Sequence, residues 1–447
     1  MYNLNLIKKL PLLLVLVFGV NYCLIAQQTN VRDLLSHKEA LEDIDSFFDT
    51  ISNTHPDPYY YSSKKEFDSI QSYIKNNLKD SITPQMIEKL LEYHTNNIFD
   101  SHTGITHYSY SLYSIPDENF VFPYDVRIKR NKFIVKDSSV NLGPLTKING
   151  RNVSTIILKM KRLLKADFPA SVKQNYLEKY FTTFYHSLYG SSSTFKLSSQ
   201  DKTVTIEGIK AKKIIESETT EKYRNFDFNT YPVASVCLLT INTFSYDYRD
   251  KFEKFLLKAF ASISESGINN LIIDLRENSG GSDRIVNILL DHLFINDYKI
   301  LYGYIKKDDY QYGHNWIRES YPKNIYKGNV MILQSNETGS AAKSFCSAIK
   351  TSERGLIIGQ ETRDPAYSFS NSECFELPNS RVSYCCATGF YAMPGSTYSV
   401  NNGIIPDIFY DVQELGKLGL NELKFLRDKA KEDYKAYFDK QYFRQKE

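Results

Sequence analysis

The chain of 447 residues is short of the residue types that build metal centres and disulfide frameworks. Six cysteines, with no C-x-x-C pair and no H-E-x-x-H helix, exclude the common zinc sites, and no cofactor is expected. Charge of one dominant sign is also missing: 55 Lys and Arg stand against 52 Asp and Glu, a formal net charge of +3. Without a basic stripe interleaved with aromatics, a nucleic acid partner has no support and none is expected. Long apolar runs are absent apart from residues 10–20, too few to cross a bilayer stably.

That run follows Lys8-Lys9 and precedes Asn21-Tyr22-Cys23-Leu24-Ile25-Ala26, the order of a secretory signal cleaved after Ala26. Lipidation at Cys23 is the weaker alternative, because Asn21-Tyr22 departs from the small residues of a bacterial lipobox. The expectation is an exported protein, periplasmic or extracellular, with no stable membrane span after cleavage. Cleavage leaves Cys237, Cys346, Cys374, Cys385 and Cys386, an odd set that argues against a complete disulfide framework. Cys237 and Cys346 lie in apolar strand and helix patterns and are expected as buried thiols. Residues 373–387 read as two strands about a turn centred between Asn379 and Ser380. That register sets Cys374 opposite Cys385, and an oxidising compartment favours a bond between them.

What the chain does have is the composition of a soluble globular protein, 42% hydrophobic and 24% charged, at a length that suggests two or three domains. Its 34 Tyr and 27 Phe are scattered, so most are expected in cores and half-buried strands and a minority along a peptide groove. Ser36-His37-Lys38-Glu39 is a capping-box sequence ahead of Leu41, Ile44, Phe47, Phe48 and Ile51, one apolar helix face. Ser63 with Glu66, and Thr83-Pro84, start two more helices. Residues 116–214 read as β-rich, with helical patterning over 153–164 and 172–184. The stretch 142–150, ending Ile148-Asn149-Gly150, fits either a PDZ-like module or a plain hairpin with an Asn-Gly turn.

From Val233 onward strands and helices alternate, the pattern of a parallel or mixed sheet with ligand chemistry at the carboxyl ends of its strands. Two turns lie at such ends. Residues 271–276 form an apolar strand that runs into Glu277-Asn278-Ser279-Gly280-Gly281-Ser282, where tandem glycines allow close backbone approach to a ligand. Residues 329–334 lead into Gly339-Ser340-Ala341-Ala342 and a helix over 341–350. A serine there has unpaired helix N–H groups around it, which suits a nucleophile; the same position also suits an ordinary N-cap.

Together with Asp100-Ser101-His102-Thr103, Gly359-Gln360-Glu361-Thr362 and Gly403-Ile404-Ile405-Pro406-Asp407, these turns resemble the serine peptidase family of C-terminal processing (tail-specific) peptidases and the tricorn core. The resemblance spans roughly residues 100–408 and implies an α/β (α+β) protein with a crotonase/ClpP-like catalytic core. The implied organisation is a signal peptide (1–26), an N-terminal helical domain (27–115), the β-rich, PDZ-like or hairpin-based region (116–214), the catalytic domain (215–410) and a helical tail (411–447). It further implies a serine endopeptidase acting on peptides or unfolded proteins, with Ser340 as nucleophile and the N–H groups of Ala341 and of Gly280 or Gly281 binding the oxyanion.

Family members divide over the base. Processing peptidases use a lysine in a G-K-G that here reads Arg363-Asp364-Pro365-Ala366, whereas tricorn-like members use a Ser-His-Thr string that Ser101-His102-Thr103 matches. His102 is therefore the expected base and Ser101 its neighbour in the relay. Two departures stand out. The tricorn-like glutamate position reads Val400, leaving Glu361, Asp407 or a residue from elsewhere to orient His102; and Lys343 stands where relatives carry Glu. Both departures favour the competing reading, an inactive relative that holds a peptide or apolar ligand in the same cleft.

Overall fold

The computed structural model describes residues 34–433 except 107–111, 113–114, 130–131, 138–139, 141, 219–223, 297, 299, 301–302, 307–308, 313–324, 395–400 and 412–417. The signal-peptide reading, Cys23 and Val400 lie outside the described residues. At the N-terminal end, helix His37–Thr54 starts as its capping box requires: Glu39 N–H donates to Ser36 Oγ at 3.3 Å and Ser36 N–H to Glu39 Oε2 at 2.9 Å. Helices Lys64–Asn76 and Pro84–Thr95 begin on Ser63 and Thr83, each hydroxyl accepting a backbone N–H three residues on.

Among the described residues of 120–214, more are helical than extended. Helices Val153–Lys161, Ala170–Lys179 and Phe181–Tyr189 pack with short strands around Phe122, Phe133, Phe181, Phe184 and Phe195. Asn149 and Gly150 both take positive φ, 49° and 77°, and turn the hairpin of Lys147–Ile148 with Arg151–Asn152.

The centre is a six-stranded sheet in the order Phe226–Tyr231, Val236–Ile241, Asn270–Asp274, Asn329–Gln334, Leu356–Gly359, Ile408–Phe409. Only the first pair is antiparallel. Alternate side chains go to opposite faces. Leu239, Ile273 and Ile332 pack against helices Arg249–Ser266, Asp283–Asp291 and Ser340–Thr351. Leu238, Ile272, Met331 and Leu333 pack on the other side against Leu423, Leu426 and Ala430 of helix Leu420–Asp433. Burial of a sheet on both faces explains why its strands read as continuous apolar runs.

A second, antiparallel sheet carries the hairpin Tyr367–Glu376 and Ser383–Ala392, with Cys374 paired to Cys385 and disulfide-bonded to it. The hairpin belongs to two cores at once. Leu377, Val382, Tyr384 and Cys386 complete the apolar core of the N-terminal helices, and the backbone of Tyr384 and Cys385 pairs with Ile105 and Gly104. In this way the segment just after His102 is fastened to a sheet that borders the central one.

Candidate active site

The strand Asn329–Gln334 ends in a turn tied down by Thr338, whose Oγ1 donates to Leu275 O at 2.8 Å and accepts from Ser335 N–H at 2.9 Å. Gly339 N–H donates to Asn278 O at 3.1 Å, so the two strand-end turns are linked directly. Ser340 then opens its helix with φ +46°, a conformation that L-residues other than Asn and Asp rarely adopt and that persists only where the surroundings enforce it. What enforces it is visible. Gly280, at φ +118°, lies so close that a Cβ there would come within 2.5 Å of Ser340 Cβ and 3.0 Å of Ala341 N. The Gly280 N–H is taken by Asn278 Oδ1 at 2.9 Å. The backbone N–H groups of Gly281 and Ala341 make no hydrogen bond among the described residues, and both residues line a cleft of about 440 Å3 with Ser340 and His102.

His102 comes from the opposite wall. Its N–H donates to Asp100 Oδ1 at 2.8 Å, the side chain-to-backbone turn that Asp favours two residues ahead. Asp100 Oδ2 is 2.9 Å from Nε2 of His55, whose Nδ1 accepts from Asp57 N–H at 3.1 Å, so the His55 Nε2–H is the donor to Asp100. Burial would raise Asp100, but the hydrogen bond from His55 leads the opposing causes and the carboxyl is lowered to about 2. Ser101 sits behind His102, its Oγ 3.2 Å from His102 Nδ1, 2.8 Å from Asp167 Oδ2 and 3.5 Å from Asp364 Oδ1. Burial pushes His102 down to about 4; Asp364 and Asp100 pull it back up, while Lys343 and Arg363 add to the fall. The imidazole is therefore neutral at neutral pH.

The model of peptidase family S41 matches residues 235–410, which hold the glycine pair, Ser340 and the turn at 359–362. Over that stretch the chain is similar to peptidase family S41. It is 30% identical over 131 residues to a tail-specific protease of Haemophilus influenzae, a match covering 29% of this chain and 17% of that protein. In fold it is similar to a CPAF s499a mutant, TM-score 0.58 at 13% identity over 90% of this chain and 96% of that one. It is likewise similar to mature CPAF complexed with lactacystin, TM-score 0.55 at 14% identity over 90% of this chain and 97% of that one.

The structure separates the groups that sequence left open. Glu361 is engaged elsewhere, Oε1 accepting from Gly403 N–H at 2.8 Å and Oε2 from Ser171 Oγ. Asp407 binds Lys350 Nζ and Ile357 N–H, both at 2.8 Å. Asp364 is the acid that reaches Ser340: its Oδ2 accepts the Ser340 N–H, and Arg363 Nε donates to its Oδ1 at 2.9 Å. Burial would raise Asp364, but Arg363, Lys343 and His102 hold it well below the usual carboxylate range. Lys343 is buried in the cleft wall, Nζ donating to Pro365 O at 2.9 Å and Ser368 Oγ at 2.7 Å, and burial lowers its pKa. Pro365 lies in the stretch that corresponds to the processing peptidases' G-K-G, so a cation does reach that neighbourhood, from a different backbone position.

Sequence reasoning passed over Asp364, Asp167 and His55. Asp364 lay in a stretch already aligned for its missing lysine, and a search for any charged group there would have found it. No local pattern marks Asp167. It follows a short helix in a region whose register on the catalytic core depends on docking: Ala166 N–H donates to Phe99 O at 2.9 Å and Lys165 Nζ to Thr103 O at 2.6 Å.

Proposed function

We propose that the chain is an exported serine endopeptidase that hydrolyses peptides or unfolded proteins, with Ser340 as nucleophile and His102 as general base. The observation that carries the reading is the convergence, in one cleft, of a strained serine at a helix start, two unengaged backbone N–H groups and a neutral histidine. Ser340 Oγ attacks the scissile carbonyl carbon while its proton passes to Nε2 of His102, the ring nitrogen opposite the one held by Ser101. The oxyanion is received by the N–H groups of Ala341 and Gly281. Of the glycine pair, Gly280 serves by its small size, since its own N–H is occupied. The imidazolium then returns the proton to the leaving amine as the C–N bond breaks, and water hydrolyses the acyl-enzyme by the same route in reverse.

A peptide substrate fits the wall opposite Gly281. Ser368, Ser370, Asn371 and Ser372 line the cleft from strand Tyr367–Glu376, which ends the second sheet among the described residues. An extended chain added along that edge would lie across Ser340, a mode in which backbone pairing tolerates varied side chains. Export rests on the charged and apolar N-terminal pattern; among the described residues no helix is long and apolar enough to cross a membrane.

Labelling by a fluorophosphonate probe tests the reading without knowledge of the substrate. Wild type is expected to label at one site and to cleave denatured protein, and Ser340→Ala to lose both while unfolding at the same temperature. Labelling of Ser340→Ala at the wild-type rate overturns the assignment. A wild type that neither labels nor turns over varied unfolded substrates favours instead the ligand-binding relative, to which Val400 and Lys343 point.

A further inference from the structure

We infer that Asp167, delivered to the site by the loop after helix Val153–Lys161, is a positioning residue whose proton decides which ring nitrogen of His102 can act as base. The inference rests on the Ser340–His102 reading and adds to it the acid that the family pattern leaves missing here.

The geometry is a three-member line: His102 Nδ1 is 3.2 Å from Ser101 Oγ, and Ser101 Oγ is 2.8 Å from Asp167 Oδ2. A hydroxyl has one proton to donate, and an ionised carboxylate can only accept. With Asp167 ionised, the Ser101 proton points to Asp167, and the Ser101 oxygen accepts from His102 Nδ1–H. The second nitrogen, Nε2, then bears no proton and can take one from Ser340. With Asp167 protonated, its O–H donates to Ser101. The Ser101 proton turns to His102 Nδ1 at 3.2 Å, nearer than Asp364 Oδ1 at 3.5 Å. His102 must then carry its proton on Nε2, the wrong tautomer for a base.

The surroundings favour a change of state within the working range. Asp167 is buried, and its Oδ1 has no hydrogen-bond partner among the described residues. Asp100 and Asp364 face it as like charges, while Lys165, Lys173 and Lys343 oppose them and the Tyr61 hydroxyl lies close by. Burial leads, the two neighbouring acids add to it, and together they push Asp167 up to about 7 in spite of the hydrogen bonds from Ser101. Asp364, paired with Arg363, stays ionised throughout. The acid limb of the rate is therefore assigned to Asp167 and lies well above the titration of His102 itself.

Two measurements on the full chain test this. In wild type labelled with 15N-histidine, His102 being assigned by the signal missing from His102→Gln, the ring is expected as the Nδ1–H tautomer at pH 8.5 and as the Nε2–H tautomer at pH 5.5. Persistence of Nδ1–H across that range overturns the inference, whether or not any variant folds. In kinetics, kcat/KM of wild type should rise through a limb near pH 7. Asp167→Asn should lose that limb and fall about 100-fold in kcat with KM little changed. An Asp167→Asn enzyme with wild-type rate and limb overturns the inference alone if Ser340→Ala and His102→Gln are both inactive. If those two remain active, the parent reading has failed instead.

Discussion

Gly280→Ala offers the sharpest test of how the site is assembled, because the added methyl group can be placed and its contacts named. Its Cβ would stand 2.5 Å from Ser340 Cβ, 2.8 Å from Gly339 O and 3.0 Å from Ala341 N. None of these is the loose end of a side chain. Gly339 is held by its N–H bond to Asn278, and a side-chain position at Gly339 is filled by the Arg363 guanidinium, so the turn cannot swing away from the methyl group. Restoring ordinary carbon contacts requires Ser340 to move by about 1 Å in an interior that is otherwise close-packed. A misplacement of about 1 Å at a reacting group costs on the order of 100-fold in rate. Stability falls as well, by about 1–3 kcal/mol for overpacking and about 1–3 kcal/mol for an alanine held at φ +118°. Gly267→Ala supplies the control: φ is +61° and nothing lies within 4 Å of its Cβ, so it carries backbone strain with no clash, far from the cleft. Fluorophosphonate labelling rates and thermal unfolding at pH 8 read both effects. Gly280→Ala should label about 100-fold more slowly and melt several degrees lower, while Gly267→Ala melts lower and labels normally. Wild-type labelling and melting in Gly280→Ala would refute the claim that the glycine turn shapes the Ser340 turn.

Two further predictions follow from neighbouring parts of the structure. His102→Ala should lower turnover by several orders of magnitude, and Lys343→Ala by less than about 10-fold, since Lys343 acts on the site through its charge. The charges of Lys343 and Asp167 attract each other, so removing the lysine should favour protonated Asp167 and move the acid limb to higher pH; an inactive Lys343→Ala beside a largely active His102→Ala, in pH–rate profiles of both, would make the lysine the base. Peptide mapping without reduction should recover Cys374 joined to Cys385, and replacing both by serine should cost about 3 kcal/mol for a bridge of sequence separation 11; recovery of both thiols free would refute the bond.

Much of this architecture is local chemistry and so was readable in the chain. Ser36 and Glu39 cap a helix because each supplies what the other's backbone lacks, and Asn149-Gly150 turns a hairpin because both residues tolerate positive φ. The spacing that set Cys374 against Cys385 needed only a turn and a two-residue period. Ser340 and the glycine pair announced themselves by standing at strand-to-helix turns. What no window of sequence contains is the company that His102 keeps. Ser101 meets Asp167 across 66 residues and Asp364 across 263, and the donors around Glu337, beside the Ser340 turn, come from Tyr176, Lys179 and Tyr180, 161, 158 and 157 positions earlier. Burial likewise arises only after packing. It lowers His102 to about 4 and raises Asp167 to about 7, although isolated side chains of these types would titrate in the reverse order. Caps, turns and periodicities are decided over a few bonds, whereas the titration and partnership of a buried charge depend on every element that closes over it.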